Sequence, residues 1–264
     1  MMPSTRSQSN SARNARRVAG SIALGLFLAL QGGITKAHAD TCELKNPAEA
    51  IAAVRKDPSL NYFSKITAEL NIRKAALKEV VACAVVETQA PKSKLNEFQP
   101  VDKNVKLIQG RFDSELGNTI DHYTNQNARI DDLGLLGAHD FASELRTWRM
   151  NNALPLITRT LNLIMFLKNQ ALLDTAQSRV SQVSQTVKTL KIVDAKNVSD
   201  IFTDAQSNLQ KAQDATNAAQ SALAASGDPN DALSSTKESL ASLAGLYKNL
   251  FDISDAVNKI LPRQ

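Results

Sequence analysis

The chain has 264 residues, of which 43% are hydrophobic and 5% aromatic, with 31 Lys and Arg against 26 Asp and Glu and a formal net charge of +5. The excess belongs to residues 1–39, where Arg6, Arg13, Arg16, Arg17 and Lys36 meet no acidic residue, so the remainder balances at 26 of each sign. A neutral chain has no electrostatic reason to follow a phosphate backbone, which excludes nucleic acid as the expected partner.

Residues 1–39 read as an export leader: a basic stretch, an apolar run over 18–30, and the small-residue site Ala37-His38-Ala39 for cleavage. The run is shorter than the roughly 20 residues a bilayer span needs. Arg16-Arg17 also suits twin-arginine export, although Val18-Ala19-Gly20 departs from the apolar pair usual after the arginines, and the route stays open. An uncleaved anchor is the rival reading. Either way the mature chain is expected in the periplasm or outside the cell. In that oxidising compartment Cys42 and Cys83, the two cysteines of the chain, are expected to pair.

Beyond the leader, apolar residues recur at intervals of three and four, and no useful length alternates with period two, which predicts an all-α fold. A first helix starts at Asn46-Pro47-Ala48-Glu49, a capping sequence, and stops before Asp57-Pro58. A second runs to Gln89 with Phe63, Ile66, Leu70, Leu77, Val81 and Ala84 in its stripe, and a linker covers 90–100. A third spans 101–130, its stripe including Val105, Phe112, Leu116 and Tyr123, with Gly110 and Gly117 weakening it locally. A tight turn over 133–137 and a short helix over 138–151 follow.

That helix leads through Leu154-Pro155 into Leu163-Ile164-Met165-Phe166-Leu167, apolar on every side and therefore read as the centre of the core, with Trp148 near one end. A narrower seam continues through Val180, Val183, Val187 and Leu190. From Asp200 the composition turns to Ala, Ser, Gln and Asn. Ser226-Gly227-Asp228-Pro229 marks a hairpin, because Gly ends one helix, Asp228 caps the next and Pro229 enters its first turn. The expected architecture is an elongated multi-helix bundle: a base over 40–196 and an antiparallel, coiled-coil-like hairpin over 197–264. The return helix packs on the base while the Gly227 turn projects as an arm.

The residues offer little for chemistry. The mature chain has only His122 and His139, with no His-Glu-x-x-His, Glu-x-x-His or Cys-x-x-Cys-His spacing, so no metal or other cofactor is expected. There is no Gly-x-Ser-x-Gly elbow, Gly134-x-x-Gly137 is too short for a dinucleotide fingerprint, and Asp131-Asp132 point different ways from a helix end. No catalytic residue is assigned. The most distinctive local composition is Glu144, Arg146, Trp148 and Arg149. Trp148, Arg146 and Arg149 are the candidate contacts with a partner or ligand; the competing reading puts Trp148 in the core and pairs the arginines with Glu144 and Asp140.

The expected function is a non-enzymatic helical scaffold of the bacterial envelope that binds another protein or itself. Two alternatives stand beside it. One is a membrane-active protein exposing residues 154–173, a membrane contact the sequence does not favour. The other is a ligand-binding bundle or an enzyme of unfamiliar type, with a pocket near Trp148, His122 or His139.

Overall fold

Every regular element among the described residues is a helix. The structure, a computed structural model, describes residues 47–189 and 196–260. The expected leader, Cys42, Leu190 and Leu261 lie outside the described residues. In chain order come α1 (Pro47–Lys56), α2 (Tyr62–Leu95), α3 (Lys103–Arg129), a 3-10 turn (Ile130–Asp132), α4 (Leu135–Trp148), a π-helical turn (Arg149–Ala153), α5 (Leu154–Thr189), α6 (Lys196–Ser226) and α7 (Pro229–Ile260). The chain is an all-α bundle with a C-terminal helical hairpin, as the periodicity predicts.

Charge rather than apolar burial fastens α1, which buries no side chain. Glu69, buried on α2, accepts Nε and Nη2 of Arg55 at 2.8 and 2.7 Å and Nε and Nη2 of Arg73 at 3.0 and 2.7 Å. Lys65 Nζ donates to the Arg55 carbonyl at 3.0 Å, supplying a donor that the end of α1 lacks. The hydrogen bonds from Arg55 and then Arg73 hold the Glu69 carboxyl at about 2.

At its C-terminal end α2 outruns the stop expected at Gln89 and reaches Leu95, with Pro91 buried inside the helix. An interior proline removes a backbone hydrogen bond and costs about 3 kcal/mol in an isolated helix. Here α3 compensates. Gln109 Nε2 donates to the carbonyls of Leu95 and Phe98 at 2.8 and 3.0 Å, and Lys92 Nζ meets Asp113 Oδ1 at 2.6 Å. At the other end Phe63 does not join the apolar stripe: it is 80% exposed, and its neighbour Tyr62 73%. Lys74 Nζ donates to the Asp131 carbonyl and Lys78 pairs with Asp131, so the 3-10 turn that follows α3 lies against the fourth and fifth turns of α2, and the first turn, with Tyr62 and Phe63, extends beyond it.

The short helix starts at Leu135, ahead of the expected 138, and does not end before the apolar stretch. Helical backbone is unbroken from α4 through the π-helical turn into α5. Pro155 has no N–H to continue an α-helical ladder. The wide turn, in which the Leu154 N–H donates to the Arg149 carbonyl, carries the chain past it.

Two apolar clusters fill the base. Leu163, Ile164, Phe166 and Leu167 of α5 lie buried with Leu95, Val105, Phe112 and Leu116, which makes the apolar stretch the centre of the core as expected. Trp148 is not at its end. It packs instead on the second cluster, with Leu77, Val81, Tyr123, Phe141 and Leu145.

Along the rest of α5 and the hairpin, buried positions recur at three and four residues; on α7 they include Ala232, Thr236, Ser239, Leu243, Leu246, Ile253 and Ala256. One layer is polar. Asn169 Nδ2 donates to Thr216 Oγ1 at 3.0 Å and Ser239 Oγ at 3.1 Å, and both hydroxyls reach the Ala212 carbonyl, at 2.8 and 2.9 Å.

The hairpin tip does not project. Ala219, Leu223 and Ala232, flanking the turn, belong to the central cluster, the Arg111 guanidinium donates to the Gly227 carbonyl, and Asn162 Nδ2 donates to Asn230 Oδ1 at 2.7 Å. The expectation of a free arm fails because the Ala-rich seam admits close packing: the same small residues that look too weak for core let α6 and α7 lie against the base near the turn.

Candidate functional site

Two turns of α3 and two of α4 form a cleft. His122 and Gln126, four apart on α3, share one side, while Phe141, Glu144, Leu145 and Trp148 recur at three and four along α4. These six side chains line a space of about 180 Å³ that opens to solvent. Phe141 and Leu145 are buried, His122, Gln126 and Trp148 are half-buried, and Glu144 is exposed.

Aromatic contacts set the geometry. The His122 imidazole stacks on the Trp148 indole with ring centroids 3.8 Å apart and planes 14° from parallel. Tyr123, the next residue on α3, meets the same indole edge-on at 5.2 Å and 81°. Burial, with a smaller contribution from the positive charge of Arg129, lowers the pKa of His122 and so favours its neutral form. Arg129 lies over the Phe141 ring at 5.8 Å and donates from Nη1 to Gln126 Oε1 at 2.8 Å.

Tyr123 is buried, and its hydroxyl has no hydrogen-bond partner among the described residues. Desolvation pushes its pKa up to about 12, with Arg149 pulling down and Glu87 pushing up by smaller amounts. Those two form the ion pair that ties the π-helical turn to α2: Arg149 donates from Nη2 to both Glu87 oxygens at 2.8 Å and from Nε to Oε2 at 3.2 Å.

Of the three contacts picked from sequence, Trp148 alone lines the cleft. Arg149 is engaged with Glu87, and Arg146 is exposed on another side of α4. The pairing of the arginines with Glu144 and Asp140 is replaced by this link across helices, and Asp140 Oδ1 instead lies 3.3 Å from His139 Nδ1. His139 and His122 do not come together in a ligand set, and no group of three or more His, Cys, Asp or Glu is placed to hold a metal ion among the described residues. The cleft residues missed from sequence are His122 as a stacking partner, Gln126, Phe141 and Leu145. Their one signal was spacing, since 122 and 126 on α3 and 141, 145 and 148 on α4 are same-face positions.

The cleft thus has a single carboxylate at its rim, aromatic walls and buried apolar side chains beneath. The chain matches no protein-family model, no curated relative and no solved structure.

Proposed function

We propose that this protein is an exported, non-enzymatic helical scaffold of the bacterial envelope, and that it binds another protein with the Trp148 cleft as the anchor pocket. The observation that carries the reading is the cleft itself: a half-buried tryptophan beside an opening about the size of one large side chain. Tryptophan is among the residues most enriched where binding energy concentrates, and small clefts flanked by well-packed helices receive such anchors.

The other parts of the reading have their own support. Export rests on the leader at 1–39. The Cys42–Cys83 bridge is supported by the charge-held α1, which gains most from a covalent staple, and by the finding that no cysteine among the described residues is free. A coiled-coil arrangement of α5, α6 and α7 is supported by their three-four burial rhythm. A membrane-active role would require opening the central cluster, where Leu163, Ile164, Phe166 and Leu167 are buried, and no helix among the described residues is long and apolar enough to cross a membrane.

Placing a photo-crosslinking amino acid at Gln126 in an exporting bacterial host tests the reading. The expected result is one adduct that disappears in a Trp148→Ala background. An exported, folded protein that yields no adduct, or one whose adduct ignores Trp148, overturns it.

A further inference from the structure

Any partner that fills the cleft also covers its rim, where Glu144 is the one carboxylate among the lining side chains. Glu144 is exposed, and among the described residues it has no ion-pair partner. Covering a carboxylate without pairing it is costly, so an apolar anchor would leave an uncompensated charge at the edge of the contact and an acidic anchor would add repulsion. Resting on the anchor-pocket reading above, we propose that the cleft takes a cationic side chain, a lysine ammonium or arginine guanidinium presented by the partner, paired with Glu144 and laid against the aromatic wall.

The lining suits that class. Tryptophan is the strongest cation–π acceptor among the side chains. With its pKa lowered, His122 sets no competing positive charge beside the indole near neutral pH. Arg129, the cation next to the cleft, is held by Gln126 Oε1 and the Phe141 ring and leaves Glu144 uncovered. The fold also uses the same contact internally, with Arg111 and Arg159 lying over the Phe112 ring at 5.2 and 5.7 Å.

Trp148 is the one tryptophan of the chain, so its indole N–H gives a single nuclear magnetic resonance signal that reports on the cleft. The probes are N-acetyl-lysine methylamide and its neutral isostere N-acetyl-norleucine methylamide, titrated into the full mature chain at constant ionic strength. The lysine probe is expected to move the signal saturably and the norleucine probe to leave it in place, with Glu144→Gln weakening the lysine response about tenfold. Because Glu144 is exposed, that variant folds, and its unchanged circular dichroism is the control. Equal saturable shifts from both probes, or no saturable shift from the lysine probe, overturn the cationic anchor. A Trp148-dependent adduct from Gln126 alongside a failed lysine titration would remove the cation and leave the scaffold; loss of the adduct removes both.

Discussion

His122 lies flat against Trp148, 3.8 Å between ring centroids, and this stack is where α3 and α4 meet at the cleft. It couples a titratable ring to the only indole in the protein. Trp148 emission therefore serves as the reporter for the protonation of that imidazole.

Burial first, and the charge of Arg129 second, put the folded-state pKa of His122 below its ordinary 6.5. A histidine shifted down binds its proton more weakly when folded. Its contribution to stability is complete above the unfolded value and is lost as pH falls through the folded one. Trp148 fluorescence is expected to be quenched on acidification with a midpoint below 6.5, the melting temperature falling over the same window, and His122→Phe is expected to abolish the quench. A midpoint at or above 6.5 would contradict the burial of the ring.

Glu69 gives a second acid transition of different origin. Arg55 and Arg73 hold its carboxyl at about 2, below the range of a free glutamate. The stabilisation is present above the unfolded pKa and is lost as pH falls from there toward 2. Since α1 buries no side chain, its loss is expected to release α1 while leaving the rest folded. Glu69→Gln is expected to raise amide exchange across α1 at neutral pH and to lower the melting temperature by a few degrees, about the scale of one charged hydrogen-bond pair in a chain of this size. Unchanged protection of residues 47–56 in the variant would show that charge does not hold the helix.

Fastening α1 by charge makes the proposed Cys42–Cys83 bridge testable through stability. Closing a loop of about 40 residues is worth roughly 4 kcal/mol on the chain-entropy model. Reductant is expected to lower the melting temperature of the exported protein, and peptide mapping of the unreduced chain is expected to yield a linked Cys42–Cys83 pair. Two free thiols in protein recovered from the periplasm would refute the bridge.

The helices among the described residues and the hairpin were legible because periodicity and capping are local. Asp228, the expected cap of the return helix, accepts the Asn230 N–H at 2.9 Å, and Gly227 ends the helix before it with its N–H on the Leu223 carbonyl at 2.8 Å. What was illegible depends on a second helix. Pro91 stays helical because Gln109 and Lys92 tie the following turn to α3. Phe63 leaves the stripe because α2 overhangs its neighbours. Arg149 finds Glu87, 62 positions away, rather than a near neighbour in sequence, and Trp148 takes its place from His122 and Tyr123. The cleft is a product of pairing two helices, and neither carries its outline alone.

The hairpin tip offers a test of docking. Gly227 has φ +65, and a Cβ there would lie 2.8 Å from Arg111 Nη1. Gly227→Ala thus meets both a left-handed backbone and a side chain that bonds the same turn. A cost of about 1–2 kcal/mol is expected from the backbone conformation alone, with more from the crowding. In an Arg111→Ala background the crowding part should vanish, so the two substitutions are expected to be non-additive. Additive effects in a double-mutant cycle would mean that the tip stands clear of α3.

The polar layer separates stability from specificity. Asn169 spends its amide hydrogens on Thr216 and Ser239, while its Oδ1 is buried without a partner among the described residues. Asn169→Asp replaces the donor with a carboxylate oxygen facing two hydroxyls whose hydrogens already go to the Ala212 carbonyl. The new charge is buried and unpaired, and a loss of at least about 3 kcal/mol is expected. Asn169→Leu removes the orphaned acceptor along with the donor, so it is expected to be neutral or stabilising in thermal melts. It also deletes the two buried hydrogen bonds that tie α5 to a fixed register of α6 and α7, so amide exchange in 200–250 is expected to quicken even as melting temperature holds or rises. If Asn169→Leu melts lower with exchange unchanged, the layer contributes net stability and does not set register.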